Sequence, residues 1–242
     1  MHFERIYIAE TDSTNRWLRT EGGTLSDAKV VVADYQTAGR GQGTNTWESE
    51  RAKNLTCSIG LCPEGVKANR QFLLSMAISV ALTKTLQALP CPISIKWPND
   101  IYAGDKKICG ILIENTLQGD HIKDCIIGIG LNVNQQVFES DAPNPTSMAL
   151  ESGHDYDREE VLKTLLGHFG KLLTDRDEQQ IRAAYRQQLY RREGVFAYRD
   201  SEGGFRASMV GVEDDGHLLL QDTEGLQRRY AFKEVTFVIE HT

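Results

Sequence analysis

Apolar positions recur along the chain with two periods, and the changes between them mark out the elements. Phe3, Ile6 and Ile8 form a half-alternating run that predicts a strand. The following Thr11-Asp12-Ser13-Thr14-Asn15 is rich in side chains that accept backbone N–H groups at a helix start, and Trp17 and Leu18 open a short apolar face. Lys29 to Gln36, with three successive valines, predicts a buried strand, and Asn54 to Leu61 another. Between them Thr37 to Lys53 holds three glycines and two arginines but few aliphatics, a long loop of the kind that usually carries function. From about Asn69 to Leu89 the apolar positions 73, 76, 77, 80 and 81 have the spacing of a core-facing helical stripe, stopped by Pro90 and Pro92.

A strand-rich middle follows, with Ile93 to Trp97, Lys107 to Thr116 and Ile122 to Asn134; Gly119-Asp120 predicts a hairpin that makes the last two antiparallel neighbours. Asp157-Arg158-Glu159-Glu160 has the form of a capping box ahead of a helix face made by Val161, Leu162, Leu165, Leu166 and Phe169. A second helix spans roughly Gln180 to Tyr190. From Gly194 onward the character changes. Val195 to Tyr198, Phe205 to Val212, Leu218 to Gln221, Arg228 to Phe232 and Val235 to Ile239 are short β-prone runs between Gly, Asp and Glu turns, the pattern of a small barrel. The chain therefore divides near Arg191 into residues 1–190 and 191–242. The pattern is that of an α+β protein.

The 242 residues are 40% hydrophobic and 25% charged, which excludes a disordered chain, a collagen-like repeat and a coiled coil. Lys and Arg number 27 against 34 Asp and Glu, a net charge of −7. Such a chain repels a phosphate backbone at long range, so no nucleic acid is expected as main partner, while a local basic site for a small phosphate ligand stays open. The five cysteines are odd in number and form no C-x-x-C pair, and the six histidines do not join them at ligand spacing, so no zinc site or disulfide framework is expected. Free thiols fit a cytoplasmic protein. Met1 to Glu10 is unlike a signal peptide, and the longest apolar stretch, Phe72 to Leu82, is broken by two serines and too short to cross a bilayer.

Four segments carry candidate chemistry, each with a plainer alternative. Gly39-Arg40-Gly41-Gln42-Gly43 follows a buried strand; it could wrap an anion with backbone N–H groups and the Arg40 fork, or be a surface loop. It is neither a Walker A loop nor a dinucleotide fingerprint. In Lys96-Trp97-Pro98-Asn99-Asp100 the lysine could counter a phosphate and Asp100 hold Mg²⁺ or orient an amine; the alternative is a β-turn with Trp97 packed in the core. Lys107, at the mouth of the apolar strand through Gly110 to Glu114, could reach a carboxylate or phosphate, or be simply solvated. Gly128-Ile129-Gly130-Leu131-Asn132 leaves one strand face without side chains, room for a flat ligand or a bulge; Asn132 could bond that ligand or tie down a loop.

In series these segments resemble one family. Asp12-Ser13-Thr14-Asn15, then Gln36-Thr37-Ala38-Gly39-Arg40-Gly41-Gln42 with Trp47, Lys96-Trp97-Pro98-Asn99-Asp100, Lys107-Ile108-Cys109-Gly110-Ile111-Leu112 and Gly128-Ile129-Gly130-Leu131-Asn132-Val133 resemble the biotin–protein ligases over residues 1 to about 190. The small C-terminal barrel fits as well. The resemblance implies an enzyme that uses ATP and Mg²⁺ to convert biotin to biotinyl-5′-AMP and passes the biotinyl group to one lysine of a biotin carboxyl carrier protein, such as that of acetyl-CoA carboxylase. It implies a mixed sheet with helices mainly on one face, like the class II synthetase core, followed by an SH3-like barrel.

By the same resemblance Ser13, Thr14, Asn15 and Gln36 would bond the biotin head group, and Gly39, Arg40, Gly41 and Gln42 would cover the carboxyl-phosphate region. Trp47 would close the site; Asn99, Gly110, Leu112, Gly128, Gly130 and Asn132 would line it. Arg40, Lys96, Asp100 and Lys107 would act catalytically, Asp100 by orienting or deprotonating the acceptor lysine; no metal ligand is assigned. Two departures stand out. The second arginine common in the loop is Gln42 here and a usual glycine is displaced or replaced by Thr44, which shifts adenylate retention toward Arg40 and Lys107. The chain also begins at the strand leading to Ser13, so the N-terminal DNA-binding domain of some relatives is not expected. A homodimer paired edge to edge through the sheet, as in some relatives, is left open. The rivals are a lipoate–protein ligase, against which stands the missing Arg-Arg-x-Ser-Gly-Gly-Gly segment, and a non-catalytic binding module, against which stand three cations at strand mouths.

Overall fold

A computed structural model describes residues 1–25, 28–139 and 144–239. The alternating N-terminal run forms β1 (Phe3–Thr11), and the valine run forms β2 (Ala28–Gln36). They are joined by β3 (Leu55–Leu61), β4 (Ile93–Lys96), β5 (Asp100–Ala103), β6 (Lys106–Gln118) and β7 (His121–Leu131) in a sheet of order β1-β2-β3-β7-β6-β5-β4. Only β1 and β2 run parallel, and α1 (Thr14–Thr20) supplies their crossover. The β6–β7 hairpin turns at Gly119-Asp120 as expected.

Because successive strand residues face opposite ways, each strand serves two faces. Val30 and Val32, Cys57 and Ile59, Ile127 and Ile129 enter the main core together with α2 (Phe72–Leu86), α4 (Arg158–Asp175) and α5 (Glu178–Gln187). Val31 and Ile126 turn to the other face, where α1 packs through Leu18 beside Leu25. Helices thus lie mainly on one face. The stripe expected in α2 is in fact buried all round, since α4 and α5 cover the side it turns away from the sheet. The expected capping box is half made: Asp157 accepts from the Glu159 amide at 2.8 Å, while Glu160 pairs with Lys163 at 3.3 Å instead of reaching back. Two short elements carry no clear pattern and were not expected, β5 and α3 (Met148–Ser152). The turn expected here is made by Trp97, Pro98 and Asn99, and Asp100, paired with Lys96, is already the first residue of β5.

The C-terminal runs form β8 (Phe196–Asp200), β9 (Gly203–Val212), β10 (Leu218–Asp222), β11 (Gln227–Tyr230) and β12 (Thr236–Phe237), antiparallel in the order β11-β10-β9-β8-β12. Among the described residues β11 and β12 do not pair, so the barrel expected here is an unclosed five-stranded sheet. The division expected at 190/191 falls between α5 and β8. Across it the core is continuous. Tyr198, Leu218 and Leu220 belong to the same buried cluster as α2. Trp97 donates its indole N–H to the Gly216 carbonyl at 2.8 Å, and the Phe232 ring lies 5.4 Å from that of Trp97 and 6.0 Å from that of Phe72. Among the described residues no helix is long and apolar enough to cross a membrane.

Candidate active site

On the α1 face, the three central strands present little bulk. Thr56 stands beside Gly130, Ser58 beside Gly128, and Gly110 beside Gly130, all on one face by the period-two rule. Over this patch runs a cleft of about 930 Å³. Of the residues singled out in the sequence, Ser13, Thr14, Asn15, Gln36, Arg40, Gly41, Gln42, Trp47, Lys96, Asn99, Asp100, Lys107, Gly110, Leu112, Gly128, Gly130 and Asn132 all line it. Gly39 does not; it is buried under the Trp47 carbonyl, 2.5 Å from where its Cβ would stand.

One end of the cleft is neutral and densely bonded. Gln36 Oε1 accepts from the Thr14 amide at 2.8 Å and the Thr14 hydroxyl at 3.0 Å. Ser58 Oγ lies 2.7 Å from Thr14 Oγ1 and 2.6 Å from Asn15 Oδ1. Asn15 Nδ2 donates to Glu114 at 2.8 Å and to the Leu112 carbonyl at 3.3 Å. Ser13 is the N-cap of α1, yet its hydroxyl makes no capping bond, and the Asp12 carboxylate takes its amide at 2.6 Å.

The cations follow along the sheet. Arg40 Nη2 is 3.3 Å from the Glu114 carboxylate, which Arg19 also approaches at 3.5 Å. Lys107 Nζ is 2.8 Å from Asp100 Oδ1. Lys96 Nζ lies over the rings of Phe237, at 5.1 Å, and Tyr102, at 5.4 Å. Burial holds the Lys96 ammonium below its ordinary pKa; the Asp100 carboxylate pulls the other way, and the Lys107 and Arg191 charges add to the lowering.

The glycine loop turns back on itself, with Gly41 N bonded to Asn45 O at 2.7 Å and Trp47 N to Gly39 O at 3.0 Å. That fold sets the Trp47 indole on the sheet. A Cβ on Gly110 would come within 2.9 Å of it, and one on Gly130 would overlap it; one on Gly128 would overlap the Asn15 amide. The glycine face expected to stand open for a ligand is therefore filled by the chain's own Asn15 and Trp47. Trp47 Nε1 and Asn132 Oδ1 are buried without hydrogen-bond partners among the described residues. Three residues of the cleft wall also have structural duties. Asn132 Nδ2 ties down the following loop through the Thr146 carbonyl at 2.8 Å, Asn99 Nδ2 holds the Ile111 carbonyl at 2.5 Å, and Trp97 is core.

Several participants escaped the sequence reading. Ser58 and Thr56 sit in the strand expected over Asn54 to Leu61, where their alternation with Cys57 and Ile59 is a usable signal. Glu114, the hub of Asn15, Arg19 and Arg40, closes the Lys107 run. Lys233, Val235, Thr236 and Phe237 line the cleft from the C-terminal sheet, and nothing local marks them. A trio of metal-ligand type among the described residues, Glu213, Asp215 and His217, lies outside the cleft and is engaged by Arg229 at 2.6, 2.6 and 2.9 Å.

A family model described as the biotin/lipoate A/B protein ligase family matches residues 7–132. The bifunctional ligase/repressor BirA of Bacillus subtilis is 32% identical over 214 residues, covering 85% of this chain. The chain spans 65% of the length of that relative. The biotin–[acetyl-CoA-carboxylase] ligase of Paracoccus denitrificans is 30% identical over 234 residues, covering 91% of this chain and 95% of that protein. The biotin protein ligase of Aquifex aeolicus, solved with biotin and ATP, superposes with a TM-score of 0.80 at 26% identity, covering 98% of this chain and 99% of that one.

Proposed function

The chain belongs to the biotin/lipoate A/B protein ligase family, and from that premise we propose that it joins biotin to a carrier-protein lysine in two steps. In the first, a biotin carboxylate oxygen attacks the α-phosphorus of ATP; the bond to the β-phosphate oxygen breaks, and pyrophosphate leaves with its electron pair. The product is the mixed anhydride biotinyl-5′-AMP. In the second, the acceptor lysine amine attacks the acyl carbon, AMP departs, and an amide remains. A free carboxylate is a poor acyl donor, and adenylation supplies the leaving group.

The neutral end suits the biotin head group. A ureido group offers one acceptor oxygen and two N–H donors, and Ser13, Thr14, Asn15 and Gln36 supply hydroxyls and amides of matching kind. The first step brings two anions together, so it needs fixed cations in a place of low dielectric, and Arg40, Lys96 and Lys107 are at hand. Asp100, already holding one ammonium at 2.8 Å, is suited to orient the acceptor lysine and accept its proton. Mg²⁺ arrives on the phosphates of the substrate, and no residue is assigned to hold it. The five thiols are free, which supports action in the reducing cytoplasm.

One observation carries the reading: a neutral hydrogen-bonding pocket and the cations Arg40, Lys96 and Lys107 line a single cleft. The test is incubation with labelled biotin, ATP and a biotin carboxyl carrier protein. Label on one carrier lysine, and ATP–pyrophosphate exchange stimulated by biotin, are expected. Exchange stimulated by lipoate instead, or none with either acid, would refute it.

A further inference from the structure

Lys233 stands in the turn between β11 and β12 with a φ of 72°, a left-handed conformation that glycine adopts freely and other residues resist. A lysine occupies it nonetheless, and the turn delivers its side chain to the cleft. Its ammonium reaches Gly43 of the glycine loop so closely that a Cβ there would overlap it. Gly43 is itself left-handed, with a φ of 70°. The loop follows β2, and Lys233 reaches it from the C-terminal sheet, where Phe237 of β12 lies 5.1 Å from the Lys96 ammonium of β4.

The other cleft cations are committed. Arg40 is held by Glu114, Lys107 by Asp100, and Lys96 is sunk over two aromatic rings. Lys233 has no ion-pair partner among the described residues, and the loop it touches carries no charged side chain from Gly41 to Thr46. The neutral pocket is built on Gln36 of β2, Ser58 of β3 and Gly128 of β7, whereas Lys233 meets the cleft at Gly43. Passing from that pocket along the sheet, a bound acyl chain meets Arg40 and Lys107 first. The anion still to be accommodated on the far side is the polyphosphate, the most highly charged part of the nucleotide.

Resting on the ligase reading above, we propose that Lys233 is a nucleotide-binding residue that grips the outer phosphates of ATP from the C-terminal sheet. An ammonium in reach of a triphosphate adds a charge-assisted contact that biotin does not share. A role in holding the turn together is the alternative, and glycine separates the two, because it relaxes the backbone while removing the charge.

Biotin-dependent ATP–pyrophosphate exchange is to be measured for the unaltered protein, Lys233→Gly and Lys233→Arg. In Lys233→Gly the KM for ATP should rise about tenfold, equivalent to about 1.4 kcal/mol, with the KM for biotin unchanged and thermal stability kept or raised. Lys233→Arg should restore most of the loss. If the unaltered protein exchanges but Lys233→Gly leaves the KM for ATP where it was, raises both KM values alike, or raises only the KM for carrier protein in the transfer assay, the inference is overturned while the ligase reading stands. If the unaltered protein shows no exchange with biotin, both fall together.

Discussion

Replacing Gly128 by alanine puts a methyl group where the Asn15 amide now lies, since a Cβ on Gly128 would overlap Asn15 Oδ1. β3 and β6 flank Gly128 on both sides, so the sheet has little room to recoil, and Asn15, only 3% exposed, must leave. It gives up contacts to Ser58 at 2.6 Å, Glu114 at 2.8 Å and the Leu112 carbonyl at 3.3 Å. At about 1 kcal/mol net for each bond the loss is about 3 kcal/mol. For a chain of this size that lowers Tm by about 6–12 °C. Asn15→Ala forfeits the same bonds and should cost about as much, yet it makes room for the methyl group. The double variant should therefore be no worse than either single one, a coupling of about 3 kcal/mol. Urea unfolding of the four proteins measures the cycle, and the same variants should raise the KM for biotin more than that for ATP. Strictly additive costs would refute the claim that Gly128 exists to seat this amide.

Three further outcomes are expected. Asp100→Asn removes the partner that Lys107 holds at 2.8 Å and should slow transfer to the carrier more than adenylate formation, as read by single-turnover assays of each step; equal loss in both would count against a role in the second step. Because burial lowers the Lys96 pKa against the opposing pull of Asp100, its charge costs the folded state in full below the lowered value, and the cost vanishes as pH rises to the unfolded value. Lys96→Met should thus match or exceed the parent Tm at neutral pH, with an advantage that shrinks in alkali, while adenylation falls about 100-fold; a large Tm loss would contradict this. In the C-terminal sheet, the Tyr230 hydroxyl at 2.6 Å, with the Glu202 and Gly203 amides and Arg228, holds Asp200 below the usual carboxylate range. The stability this gives is present above the ordinary carboxylate pKa and lost as pH falls through the lowered one, so Tyr230→Phe should move the acid-unfolding midpoint to higher pH.

The fold was legible where a period could be counted over many residues. The valine strand, the β6–β7 hairpin and the helix after Asp157 declare themselves by alternation, by Gly-Asp at a turn or by a cap and a spaced apolar face. β5 did not, because four residues are too few for a period, and its opening Asn99-Asp100 has turn chemistry. The unbroken burial of α2 depends on α4 and α5, which lie about a hundred residues away in the chain. At the site, residue type was readable and partnership was not. Arg40 and Lys107 are conspicuous as cations after glycines or before an apolar strand, but their counterions Glu114 and Asp100 are set by strand register. The contribution of Phe237 and Lys233 is a matter of how two sheets meet, and a local reading has no access to that.

The Trp47 indole resting on the glycine floor has a kinetic consequence. A ligand whose place overlaps that resting spot does not enter by filling a hole but by trading places with a tenant. Capture then has two stages, departure of the ring and arrival of the guest, and the first does not quicken when more guest is supplied. The observed rate of association should climb with concentration and then flatten at the pace at which the loop lets go, so that the protein sets its own upper limit on how fast it can be loaded.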